Sequence, residues 1–138
     1  MSETLTFAKT HQYDTSKAGI SVPVTLRHGA DSVDLEAKLD TGSSHCVFKK
    51  AHGEFLGLDI ESGVSQEMRT VTGNFLTYGH EIGLSVLGIE TTATVYFASD
   101  ENFTRNVLGR QGWLDRVRLG VIDYDGRLYL SAYDDPSL

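Results

Sequence analysis

Ala37-Lys38-Leu39-Asp40-Thr41-Gly42-Ser43-Ser44-His45-Cys46-Val47-Phe48 is the stretch on which the reading of this chain turns. An acid follows an apolar, strand-like run and opens a Thr-Gly-Ser-Ser turn, after which a second apolar run begins. A carboxylate on a tight loop between two strands is held rigidly and accepts hydrogen bonds from the loop's own donors. Gly42 supplies the backbone freedom for the turn, and Thr41 and Ser43 supply hydroxyls to fix it. Asp40 is therefore a candidate catalytic acid, on condition that a second carboxyl is brought beside it.

Outward from this loop the pattern is that of short strands. Ile20 to Leu26 alternates apolar and polar residues, and Val33, Leu35, Ala37 and Leu39 share one face after a His28-Gly29-Ala30-Asp31 turn. This hairpin delivers Asp40 to a strand end, and Pro23 predicts an edge strand or a bulge. Cys46 to Phe48 reads as a third short strand, followed by one or two helical turns over residues 49–56. Met68 to Val71 and Phe75 to Leu87 flank a Thr72-Gly73-Asn74 turn, and Ile89 to Phe97 is rich in β-formers. The polar segment 99–105 reads as a loop, and Trp113, Leu114 and Val117 give Gln111 to Val117 the apolar face of a short helix. A terminal hairpin, 118–122 and 127–130, closes on Asp123-Tyr124-Asp125-Gly126. Many short strands with frequent turns predict an all-β fold closed into a barrel. Residues 1–17 form an N-terminal arm or loosely paired edge, 18–131 the domain, and 132–138 an acidic tail.

With 138 residues the chain forms one domain able to bury a core without metal or disulfide staples. A net charge of −7 argues against a nucleic-acid footprint, because phosphate binding needs clustered Lys and Arg, and Lys49-Lys50 is too short to supply it. Cys46 is the single cysteine, so no intrachain disulfide is expected and its role is that of a small buried hydrophobe. No apolar run approaches the ~20 residues that span a bilayer. The first residues lack the pattern of a signal peptide, so the expectation is a cytoplasmic protein with no membrane partner. His11, His28, His45, His52 and His80 fall at no metal-site spacing, and no metal or other cofactor is expected.

Two motifs, read together, resemble the retropepsins, the single-domain retroviral-type aspartic proteases. The first is Asp40-Thr41-Gly42 after apolar residues. The second is Asn106-Val107-Leu108-Gly109-Arg110, similar to the strand, Gly and Arg that pass behind the active-site loop in that family. The resemblance spans roughly residues 18–131. It implies a barrel of the acid-protease type with one short C-terminal helix. The central hairpin would be a flap, with Val71, Thr72, Gly73, Asn74 and Phe75 at its tip over an extended peptide. A chain with one Asp-Thr-Gly implies a homodimer in which Asp40 and its symmetry mate share the chemistry. Two carboxyls in contact cannot both ionise, so one takes a proton from water while the other donates to the carbonyl oxygen. Activity on the acid side of neutrality follows. Apolar Val71, Phe75 and Val107 favour hydrophobic side chains beside the scissile bond.

Two departures from the family pattern stand out. Ser43-Ser44-His45 replace the usual Ala and Asp residues, which leaves Asp115 or an acid of the other chain as partner for Arg110. The hairpin after residue 117 is similar to cellular and bacterial retropepsin-like proteins, which dimerise through their own terminal strands. The reading is thus an aspartic endopeptidase acting on a peptide or protein substrate. Its rivals are a catalytically silent dimer that binds extended peptides, and a monomeric barrel whose Asp-Thr-Gly is only a turn.

Overall fold

The computed structural model describes residues 1–136. Ten strands and one short helix carry the fold: β1 (Lys9–Gln12), β2 (Ser21–His28), β3 (Asp31–Leu39), β4 (Val47–Phe48), α1 (Lys50–Phe55), β5 (Val64–Thr70), β6 (Gly73–Val86), β7 (Ile89–Ala98), β8 (Val107–Leu108), β9 (Val117–Ile122) and β10 (Arg127–Ala132). The architecture is all-β, and no helix among the described residues is long and apolar enough to cross a membrane.

The larger sheet has seven strands in the order β2-β3-β8-β4-β7-β6-β5, and β2 pairs additionally with β6. Hydrogen bonding therefore runs from β2 across the sheet and returns to it. Strand alternation explains which side is dry: Val22, Val24 and Leu26 on β2 and Ile82, Leu84 and Val86 on β6 are buried, with less buried residues between them. Phe48 and Phe97 fill the interior from adjacent strands, their ring centroids 6.2 Å apart. The smaller sheet, β1-β10-β9, adds Leu128 and Leu130 to the same core.

Four sequence expectations need correction or refinement. Pro23 does not make β2 an edge throughout, because β2 lies between β3 and β6. The pairing to β6 begins at Val24, one residue past the imide nitrogen that cannot donate. The short helix expected over Gln111 to Val117 is only a 3₁₀ turn at Leu114–Arg116. Gly112 has φ of +98°, Gln111 is bridged to His45, and β9 begins at Val117, which leaves no room for an α-helical turn. Among the described residues the one α-helix is instead α1, in the first half of the chain, within the stretch expected to form one or two helical turns. The N-terminal arm contributes β1, which pairs with β10 from Lys9↔Leu130 to Gln12↔Arg127.

The 132–138 tail begins at the last residue of β10. Tyr133 N–H donates to the Arg116 carbonyl, and the Arg118 guanidinium donates to the Asp135 carbonyl at 2.6 Å. Residues 137–138 of that tail lie outside the described residues.

Candidate active site

Asp40 follows directly on the last residue of β3, and its loop is pinned from behind by β8. Lys38↔Val107 and Leu39↔Leu108 pair in parallel, and Asp40 N–H donates to the Leu108 carbonyl at 3.0 Å. The loop then turns on itself. Ser43 N–H donates to the Asp40 carbonyl at 3.0 Å, and Gly42 N–H donates to Asp40 Oδ1 at 2.9 Å. Past the turn, Arg110 N–H donates to the Ser43 carbonyl and Gln111 N–H to the Ser44 carbonyl, at 2.8 and 2.9 Å. The main chain of residues 106–111 thus holds both limbs of the loop, a rigid mount for a side chain that itself stays exposed.

Gly109 is what allows the two chains to lie so close. A methyl group built on it would meet the Ser43 carbonyl oxygen at 2.7 Å and collide with the main chain of His45. Its N–H points at the Cys46 sulfur (3.4 Å), whose thiol in turn donates to the Gln111 carbonyl at 3.7 Å. Burial pushes the Cys46 thiol up to about 11, and only partly offset by the Gly109 N–H, so this sulfur is a protonated spacer within the mount.

The other site residues fall where the loop requires in some cases and not in others. Thr41 is exposed. Ser43 Oγ donates to the His45 carbonyl at 2.7 Å, which braces the turn rather than the Asp40 carboxylate. Val107 and Leu108 form β8, Leu108 buried and Val107 half-buried toward the groove. The Arg110 side chain is exposed. Asp115, weighed as its partner, accepts instead from Gly112 N–H at 3.1 Å and pairs with Arg116 Nε at 3.5 Å.

Facing the loop is the β5–β6 hairpin, which closes a groove of about 360 Å³ lined from one side by Asp40, Gly42, Ser43, His45 and Val107 and from the other by residues 66–70 and Phe75. The hairpin tip is Val71-Thr72, since Thr70 pairs with Gly73. Gly73, Asn74 and Phe75, expected at the tip, belong to β6. Thr70 Oγ1 donates to the Gly73 carbonyl at 2.6 Å and locks the turn, and Gly73 takes φ of +137°, a conformation side chains resist. Val71, at the tip, is fully exposed.

Sequence reasoning passed over a third wall. The polar loop after β7 carries Phe103, which stacks on Phe75 with centroids 4.9 Å apart, and Arg105, both lining the groove. Asn106 anchors that loop. Its carbonyl accepts from Lys38 N–H at 2.9 Å, its Oδ1 from Lys49 N–H at 3.1 Å, and its Nδ2 donates to the Glu36 carbonyl at 3.2 Å and to His52 Nε2 at 3.3 Å. A lone aromatic in a polar segment was the available signal. The Phe75–Phe103 contact joins residues 28 positions apart and exists only in the fold.

Neither a family model nor a curated protein matches this sequence. Among solved structures the chain is similar to the EIAV protease complexed with the inhibitor HBY-793. Identity is 21% and the TM-score 0.54, over 68% of this chain and 84% of that one. The likeness shows a retropepsin-like fold.

Proposed function

We propose that this protein is a homodimeric, retropepsin-like aspartic endopeptidase, its main sheet closed as the barrel of that family. Asp40 of each subunit would activate the attacking water, and the β5–β6 hairpin would cover an extended peptide. One observation carries the reading: an exposed Asp-Thr-Gly carboxylate sits on a loop pinned by the Val-Leu-Gly-Arg segment, and it opens into a groove under a projecting hairpin. The EIAV protease, complexed with an inhibitor, has a similar fold.

Peptide hydrolysis needs one ionised carboxyl to take a proton from water and one neutral carboxyl to donate to the carbonyl oxygen. Asp40 serves half of that. The remaining acid along the groove, Glu67, lies on the exposed face of β5 in register with Leu76, on the hairpin rather than on the rigid mount. A two-fold axis at the Asp40 loop would supply the missing half from an identical loop. The outer edge of β9 is unpaired within the sheet order β1-β10-β9 and carries exposed Val121 and Ile122, so it is available for pairing with the same strand of a second copy.

Asp40→Asn is expected to abolish cleavage of a denatured-protein substrate at mildly acidic pH while leaving the circular dichroism spectrum and sedimentation coefficient unchanged. Glu67→Gln should retain cleavage. If Asp40→Asn cuts as fast as the parent protein, the endopeptidase reading is wrong.

A further inference from the structure

We infer that Arg105 sets substrate preference in the groove, selecting extended peptides that carry an acidic side chain beside the residue held against Val107. The inference rests on the peptide-binding groove proposed above but not on cleavage. Arg105 and Val107 both line the groove, and the short strand starting at Val107 runs directly behind the Asp40 loop. The wall thus presents an apolar contact and a cation two residues apart in the chain.

Arg105 is exposed and, among the described residues, forms no ion pair or side-chain hydrogen bond. Its main chain is nonetheless fixed from both sides. Phe103 is stacked on Phe75, with its N–H on the Asp100 carbonyl, and Asn106 is tied to β3 and to Lys49. The main chain that carries the cation is thus anchored, while the guanidinium has no partner among the described residues, in a chain whose net charge is −7. Glu67 lines the same groove but forms no ion pair with Arg105. The alternation of β5 puts Gln66 and Met68 on the half-buried face and Glu67 and Arg69 on the exposed one. An acidic side chain of a bound peptide would lay its methylenes along the Phe103–Val107 wall and bring its carboxylate to the guanidinium.

The test is binding, measured by fluorescence anisotropy on the Asp40→Asn protein, which cannot consume the ligand. The probes are labelled decapeptides with Phe on one side of the central bond and Glu, Gln, Leu or Lys on the other. At low ionic strength Glu should bind about threefold to tenfold tighter than isosteric Gln, the scale of a solvent-accessible ion pair gaining from a groove. Arg105→Gln should erase the difference, Arg105→Lys should keep most of it, and Arg105→Glu should shift the preference to Lys. Equal binding of Glu and Gln peptides, or a Glu preference that survives Arg105→Gln, overturns the inference and leaves the protease reading intact. Charge-selective binding lost in Arg105→Gln supports it even if the parent protein cleaves nothing. Absence of binding by every peptide overturns both.

Discussion

Replacing Gly109 by Ala tests the mount of Asp40 with a single methyl group. The added carbon would approach the Ser43 carbonyl oxygen to 2.7 Å and overlap the His45 main chain, and in both cases the obstacle is backbone. No side chain can swing aside, so one of the two chains must move. Overpacking a well-filled site costs about 1–3 kcal/mol, and Gly109 is buried. For a domain of this length about 1 kcal/mol corresponds to roughly 4 °C in melting temperature, so the expected loss is on the order of 4–12 °C.

The control is Gly83→Ala on β6. There the new methyl meets Arg27 at ordinary contact distance, 3.4 Å, and the melting temperature should hold within a degree or two. Differential scanning fluorimetry of both variants, at one fixed protein concentration because a dimer's midpoint depends on it, gives the comparison. The displaced loop should also cost activity beyond the lost stability. A shift of about 1 Å in a catalytic group costs on the order of a hundredfold in rate. Equal melting temperatures for the two variants would mean that the loop and the Gly109 segment are not packed as described.

Acid sensitivity should be traceable in part to His52. Its pKa is lowered from 6.5 by burial and, to a lesser degree, by Lys49. The Asn106 amide also presents a donor to Nε2, because Oδ1 is committed to Lys49 N–H, which suits the neutral ring. With the folded pKa depressed, the unfolded chain takes up the proton first. This contribution is fully present above about pH 6.5 and is lost as the pH falls through the folded value. The fall in urea midpoint between pH 7 and pH 5 should accordingly be smaller in His52→Gln than in the parent. Val121→Asp, placing like charges across the free edge of β9, should weaken self-association at least tenfold by sedimentation equilibrium while leaving the monomer's spectrum unchanged.

What could be read from the residues and what could not divides by range. Strands whose faces differ in polarity declare themselves: Val22, Val24 and Leu26 alternate with Ser21, Pro23 and Thr25, and burial follows that alternation. The hairpin that ends at Leu39 was legible for that reason, and with it the position of Asp40 at a strand end. The turn at Val71-Thr72 was misplaced by one residue because Thr72-Gly73-Asn74 has the richer turn chemistry. The hydroxyl of Thr70 and the register Thr70↔Gly73 decide the matter instead. The helix expected at 111–117 failed against a constraint invisible in its own periodicity, the bridge from Gln111 to the His45 main chain.

The same long-range contacts account for the groove's third wall. Phe103 and Arg105 sit in a stretch that local patterning can only classify as polar. They become part of a site because Asn106 is gripped by β3 and by Lys49 at once, which swings the preceding residues over the hairpin. Asp40 and its mount could be anticipated because their chemistry is encoded within a dozen contiguous residues. The residues that would tell one peptide from another are brought together by strand order alone, so preference among substrates is the property a sequence of this kind conceals longest. A substitution such as Arg105→Gln, which alters neither fold nor mount, should change which peptides are held while leaving Asp40 where it is.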